Sequence, residues 1–514
     1  MNGPRGRAPV ARGLPCIGLA NSNKHAGRRG KGARAKLGRV RSRSPIAWAA
    51  VVAGLAGCGS TPAATPLPAS PAPPVASTAS APADSSAQAS PPAAPPADTP
   101  IAFIENDYPR ALAEARSRNV PLFVDTWAAW CHTCLSLRSY VFPDPSLQRF
   151  SSRFVWLSLD TEREDNADVV NRLAVKVLPT LYVIDPATEK PVVAWPGSLT
   201  APELADLLDE AASALAHGDA GGEAAAALLR GHQASAAGKL DEAITAYRAA
   251  LAAAPPGWPR RPEAVDALVT RLDDDKQPAA CVTLGADEAP HLPPGTALAD
   301  VLRVSMSCAD DLPKKAPERA RLPDLAALGE KVALDTSQPI LADDRSDLYD
   351  YVLGALKDLD RSADAKRVAT EWSAFLDDQA SKAPTPEARV VFDAHRLLAY
   401  LALGQPARAV PMLQQSERDF PQDYNPPARL GTAYLKMKRY DDALAAVKRA
   451  LDRAYGPRKL RLFALQADID EAKGDRAGAR RSLADALDFA KGAQLTGGYP
   501  RLREALEKRL AKLK

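Results

Sequence analysis

Three features divide the 514-residue chain into an α/β domain and a following all-α helical array, with an unstructured N-terminal segment and linker ahead of both. Apolar runs of strand length alternate with helical patterns between residues 101 and 217. From residue 223 to 514, Ala, Leu and charged residues recur at helical spacing with short turns between them. Before residue 101 little apolar surface is available to offset the entropy of ordering the chain. The expected boundaries are therefore 1–57, 58–100, 101–217 and 223–514.

The formal charge of +4 hides an uneven distribution. Twelve Lys or Arg and no acid fall within the first 45 residues; from Cys58 onward, 54 basic residues face 62 acidic ones, a formal charge of −8. A nucleic-acid partner is not expected, because phosphate binding needs a basic face on the processed chain.

In the N-terminal segment, Arg39, Arg41 and Arg43 precede an apolar run, Ile46 to Leu55, that closes in Leu55-Ala56-Gly57-Cys58. This is the layout of a secretory signal and is too short to span a bilayer permanently; the alternative is a buried apolar helix that ends in Cys by chance. The ending resembles the lipobox of bacterial lipoproteins. That resemblance implies cleavage after Gly57, diacylglycerol on Cys58 and a periplasmic, lipid-anchored location, with Gly59 in place of Asp favouring the outer membrane. Met1 to Val40 reads as Gly/Arg-rich disorder, and a translation start nearer Val40 is expected. Residues 59–100 hold twelve prolines and no aromatic residue, a linker whose coil would reach about 36 Å.

In the α/β domain a helix is expected over Pro109 to Arg118, then a strand over Val120 to Asp125, apolar enough to be covered on both faces. A helix should begin at Cys131. Further strands are expected at Phe154–Asp160, Leu181–Asp185 and Val192–Trp195, with helices at Asn166–Val175 and Ala201–Ala216.

Within this pattern lies Asp125-Thr126-Trp127-Ala128-Ala129-Trp130-Cys131-His132-Thr133-Cys134, and Leu178-Pro179-Thr180 follows immediately before a strand, Pro179 standing 45 residues after Cys134. Together these resemble the strand, Trp-Ala-x-Trp-Cys-x-x-Cys turn, helix and cis-proline loop of the thioredoxin superfamily. The helix-first layout is most similar to the C-terminal domain of the bacterial thiol:disulfide interchange protein. The resemblance covers about residues 105–217 and implies a thioredoxin fold with Cys131 and Cys134 as its redox pair and no external cofactor.

The spacing has a chemical cause. A thiolate is the attacking species, and a helix N-terminus at Cys131 lowers its pKa through unpaired backbone N–H groups. Cys134 lies about one turn on, so both sulfurs can share a face, and it would resolve the mixed disulfide formed on Cys131. This reading would fail if the two sulfurs pointed apart, or if they were sealed from solvent with Pro179 remote. By its family position Asp125 would be a buried acid handling the proton of Cys134; otherwise it is a strand-end carboxylate with a local hydrogen bond. Trp127 and Trp130 either flank the turn catalytically or simply pack. Pro179, between Leu178 and Thr180, frees nearby backbone for an extended client or serves only as a rigid turn.

His132 and Thr133 occupy the places of thioredoxin's Gly-Pro. A cationic imidazole beside the thiolate would make the disulfide more oxidising, whereas a solvated His132 on an exposed turn would not. Leu135 and Trp156 stand where the family expects lysines, so less polar surroundings are expected. A structural zinc site at the pair is not expected, since no second Cys-x-x-Cys is present; haem attachment would need His at Leu135.

In the array, Gly238, Ala243, Tyr247, Ala250 and Pro255 fit the second half of a tetratricopeptide repeat, with Gly231 at the small first-helix position. The pattern returns as Gly404, Ala409, Leu413 and Pro421, as Gly431, Tyr434, Ala443 and Ala450, and as Gly474, Ala479, Leu483 and Ala486. Ala409 to Ala443 spans 34 residues and Ala443 to Ala479 spans 36, and a generic Ala-rich bundle has no reason to keep that period. Residues 258–343 fit poorly, and Leu348–Ala380 reads as another helix pair. Cys281 and Cys308 fall in this section, either as one structural disulfide or as two buried thiols. His232, His291 and His395 are scattered without ligand spacing, so no metal site is expected.

Two functions follow. The first is a lipid-anchored thiol:disulfide oxidoreductase, with reductase favoured, acting on client proteins with disulfides and drawing on a membrane electron donor or redox partner. The second is an interaction scaffold in which the redox pair is regulatory or structural.

Overall fold

The computed structural model describes residues 100–217, 222–493, 495 and 499–513, which belong to one compact unit. Cys58, the signal pattern and nearly all of the linker lie outside the described residues. Among the described residues no helix is long and apolar enough to cross a membrane.

The first domain is a five-stranded sheet with helices on both faces. Its strands are β1 (Phe103–Glu105), β2 (Leu122–Trp127), β3 (Val155–Asp160), β4 (Thr180–Asp185) and β5 (Lys190–Pro196), in the order β1-β3-β2-β4-β5. β3 runs parallel to both β1 and β2, while β4 is antiparallel to β2 and β5. Helix α1 (Tyr108–Arg118) starts where Asp107 accepts a hydrogen bond from the Arg110 amide, 3.0 Å, and ends at Asn119 in the left-handed region. With α3 (Ala167–Arg172), it covers the face bearing Val124, Leu157 and Tyr182.

The opposite face, bearing Phe123, Trp156, Leu181 and Val183, is covered by Leu137 and Val141 and by α4 (Ala201–His217). Leu137 and Val141 extend α2 (His132–Ser136) in a π turn. Side chains alternate between faces along β2, so Asp125 shares the face of Phe123. The expected helices and strands are present with small shifts at their ends. The edge strand β1 was not anticipated, because three residues carry no period.

The array begins at Gly222 and runs as paired helices to Lys512. Helices Gly222–Ala236 and Leu240–Ala253 form one pair, and Asn425–Lys436 with Tyr440–Arg453 another. The repeated small residues sit where helices touch: Ala243, Ala250, Ala443, Ala450, Ala479 and Ala486 have no exposed surface. A Cβ on Gly231 would lie 2.4 Å from the Tyr247 ring, and one on Gly431 would lie 2.5 Å from Val447 Cγ2. Both glycines precede the blocking residue by the same interval. Gly238, Gly404 and Gly474 instead occupy left-handed turns, and in the repeat containing Gly431 that place is taken by Lys438, φ 60°.

The middle section is also helical, with Cys281 on Pro278–Glu288 joined to Cys308 on Thr296–Asp311, their Cα atoms 6.2 Å apart.

Rather than standing apart, the array wraps the first domain along its length. Arg260 pairs with Glu210 at 2.8 Å, Thr296 Oγ1 donates to Glu203 at 2.9 Å, Tyr140 donates to the Ala388 carbonyl at 3.0 Å, and Tyr455 donates to Asp160 at 2.6 Å.

Because Gly431 faces Val447 across a helix contact, Gly431→Ala is expected to destabilise the protein by about 1–3 kcal/mol through overpacking. Gly354→Ala, on an exposed helical site with open space around it, is expected to be neutral or stabilising by up to about 1 kcal/mol. Urea unfolding midpoints compare the two.

Candidate active site

Cys131 is the N-cap of α2: its backbone is extended and its Sγ accepts a hydrogen bond from the Cys134 amide at 3.2 Å. One helical turn separates the two cysteines, and their sulfurs are joined, with Cα atoms 5.3 Å apart. The Leu178–Pro179 peptide is cis. Pairing of β2 with β4 sets Thr126 against Thr180; Thr126 Oγ1 donates to the Thr180 carbonyl at 2.7 Å and accepts from its amide at 3.1 Å. Thr180 Oγ1 turns back to the Val177 carbonyl at 2.7 Å. The proline loop is thereby fixed beside the end of β2, and Leu178 packs against the cluster that contains both cysteines.

Asp125 is fully buried on β2, and neither carboxylate oxygen has a hydrogen-bond partner among the described residues. Burial pushes its pKa up to about 7, opposed by the Arg138 guanidinium. Arg138 also lies 4.2 Å from the centre of the Trp127 ring and donates to Ser158 Oγ at 3.1 Å. The positive charge near the acid thus comes from Arg138, while Trp156 packs on Phe123. Arg138 lies beyond the motif, so nothing in the motif marks this exchange.

The environment of the pair corrects two expectations. Cys131 and Cys134 have no exposed surface, so the pair is not open to solvent. Tyr424, Ala450, Ala454 and Leu462 of the array cluster with Ala128, Trp130 and both cysteines, and Asn425 Nδ2 donates to the Ala129 carbonyl at 3.0 Å. His132 is likewise buried rather than solvated on an exposed turn, its surface only 1% accessible. Its Nε2 lies 3.1 Å from His395 Nε2, and its Nδ1 lies 3.2 Å from Thr133 Oγ1 and 3.6 Å from Asp343 Oδ2. His395 is therefore not a scattered residue. Its pKa is lowered by burial and then by the neighbouring His132.

Trp130 Nε1 donates to Glu162 at 2.8 Å, and the Arg458 guanidinium lies 4.8 Å from the centre of the indole ring. Glu162 also accepts from Tyr499 and, at 3.4 Å, from Tyr424. Burial raises the pKa of Glu162. This carboxylate joins the redox turn to two parts of the array, a role that its place in a polar run after β3 did not signal.

Residues 103–186 match the family model described as thioredoxin-like. This domain is thioredoxin-like. Residues 400–469 match the tetratricopeptide repeat model. The thioredoxin-like region is 37% identical over 89 residues to the thiol:disulfide interchange protein DsbD of Cronobacter sakazakii, covering 17% of this chain and 15% of that protein. It is 27% identical over 92 residues to the thioredoxin-like protein CITRX, chloroplastic, of Solanum lycopersicum, covering 18% of this chain and 50% of that protein. The chain thus spans only about one-seventh of the length of the interchange proteins it matches. Among solved structures, a tetratricopeptide repeat protein from Parabacteroides merdae aligns over 57% of this chain and 99% of its own, with 12% identity and a TM-score of 0.37.

A thioredoxin-like domain with a Cys-x-x-Cys pair supports thiol:disulfide oxidoreductase chemistry. In that chemistry a buried acid titrating near neutrality can take up or release the proton of the resolving thiol.

For Asp125 the folded pKa is raised, so the stability associated with its protonated form is full below the unfolded value near 4 and is lost as pH rises through about 7. At full ionisation the cost is on the order of 4 kcal/mol. Asp125→Asn is expected to remove this loss, making the urea midpoint at pH 8 closer to that at pH 5 than in the wild type. An unchanged difference between the two midpoints would rule out burial of an ionisable Asp125.

Proposed function

We propose that this protein is a lipid-anchored, extracytoplasmic thiol:disulfide oxidoreductase that reduces disulfides of client proteins. The observation that carries the reading is the placement of Cys131 at the N-cap of α2, one turn from Cys134 and beside the Leu178–Pro179 loop. In the reduced protein the Cys131 thiolate attacks a client disulfide, forming a mixed disulfide and releasing one client sulfur as thiolate. Cys134 gives its proton to the Asp125 carboxylate and attacks the Cys131 sulfur, so the second client thiolate leaves and the Cys131–Cys134 disulfide forms. Two electrons pass to the client and must be restored by a dithiol donor, for which a membrane redox protein is the proposed source.

Lipid on Cys58, with the outer membrane favoured, and the proline-rich linker would let the domain sample space beside its membrane. The array contributes in two ways: as a surface for clients or the donor, and as the cover through which they must reach the dithiol.

A second reading is favoured by the burial of the pair beneath Tyr424 and its neighbours. In it the protein is an interaction scaffold, and Cys131–Cys134 stabilises or regulates the fit of the array. Insulin reduction in the presence of a small-molecule dithiol separates the two. The oxidoreductase reading expects a wild-type rate at least about tenfold above those of Cys131→Ser and Cys134→Ser. Wild-type activity equal to both variants would leave the scaffold.

A further inference from the structure

Three donor atoms from three elements converge beside the redox turn: His132 Nε2 at the start of α2, His395 Nε2 on the helix Asp393–Ala402, and Asp347 Oδ1 on the helix Ala342–Asp358. Their separations are 3.1 Å between the imidazole nitrogens, 3.3 Å from His395 to Asp347 and 3.8 Å from His132 to Asp347. Around a four-coordinate ion with bonds of about 2.0–2.1 Å, neighbouring ligand atoms stand about 3.4 Å apart, whereas an octahedral ion would hold them at about 2.9 Å. A circle through the three atoms has a radius of about 2.0 Å, matching one face of a tetrahedron with bonds of about 2.1 Å, so an ion would sit just out of their plane with its fourth position on the far side.

The surroundings match the same occupant. Asp343, one turn before Asp347 on the same helix, is fully buried with no hydrogen-bond partner for either carboxylate oxygen among the described residues, and it faces His132 Nδ1. With Nε2 committed to a metal, Nδ1 carries the proton and donates to Thr133 Oγ1 at 3.2 Å, which orients a ligating imidazole, while the Asp343 carboxylate stands 3.6 Å away and supplies nearby negative charge. A divalent charge would offset the two carboxylates that the fold brings to a pair of imidazoles. Asp347 keeps about a quarter of its side chain exposed, which leaves an entry path.

We propose that His132, His395 and Asp347 bind a borderline divalent cation of the zinc class, with the fourth position open to water, and that the ion ties the redox turn to the array. Two imidazole nitrogens with one carboxylate select zinc-like ions over Mg²⁺ or Ca²⁺, which take oxygen ligands. Such an ion would join residues 263 positions apart in sequence.

The test uses the full chain carrying Cys16→Ser and Cys58→Ser, oxidised so that both described disulfides are formed and no thiolate competes. After removal of metal with a chelator, it is titrated calorimetrically with ZnCl₂ and, separately, followed by visible absorption with CoCl₂. One equivalent of Zn²⁺ and the intense bands of four-coordinate Co²⁺ are expected. Asp347→Asn and His395→Gln should each weaken Zn²⁺ binding by about 100-fold or more, and Asp343→Asn by about 10–100-fold. His291→Ala, at an exposed histidine outside the site, should leave it unchanged. Circular dichroism identifies any variant that fails to fold, and Asp347→Asn, isosteric and partly exposed, then decides. Absence of stoichiometric binding, or affinity unchanged in Asp347→Asn, overturns the proposal. Neither result bears on insulin reduction, so failure here and failure of the oxidoreductase reading are distinguishable.

Discussion

The turn from Trp130 to Cys134 is enclosed, and enclosure makes every polar group on it need a partner from within the protein. The array supplies those partners. Asn425 takes the Ala129 carbonyl, His395 meets His132, and Tyr424 and Tyr499 share Glu162 with the Trp130 indole. Around these bonds Ala450, Ala454 and Leu462 give the disulfide an apolar cover. The thioredoxin-like domain and the repeats are therefore not independent modules; each completes the other's surface at the place where the chemistry resides.

Burial also sets the electrostatics. Removing water raises the pKa of Asp125 and of Glu162. For Asp125 this leaves an acid that titrates near neutrality on the strand leading into the redox turn. On the proposed reading the same enclosure would keep clients out, and turnover would require the contacts between the turn and the helices from Asn425 to Lys473 to open.

What was legible in the sequence was local. Strand, turn and helix around Cys131 follow from an apolar run, a tryptophan-flanked dithiol and a helical pattern, and the Leu178–Pro179 loop from its place before a strand. The repeats showed themselves in the spacing of Ala409, Ala443 and Ala479, 34 and 36 residues apart, and the collisions that a Cβ on Gly231 or Gly431 would meet give the small residues their physical cause. The contacts that decide accessibility join residues hundreds of positions apart, and no period or motif marks them. His132 read as a turn residue and His395 as a packing residue until the array brought their rings to 4.0 Å. Lys438 in a left-handed turn, where other repeats carry glycine, was hidden for a related reason: the repeat geometry imposes the conformation on whatever residue falls there.

Enclosure of the dithiol in solution is measured most directly by alkylating reduced Cys131 in the intact chain and in a Tyr424→Ala, Asn425→Ala double variant. Loss of the covering ring and of the bond to Ala129 is expected to speed the reaction by about tenfold or more, equivalent to about 1.4 kcal/mol of closure. Equal rates in the two proteins, both as fast as that of an exposed thiol, would contradict an array seated on the redox turn.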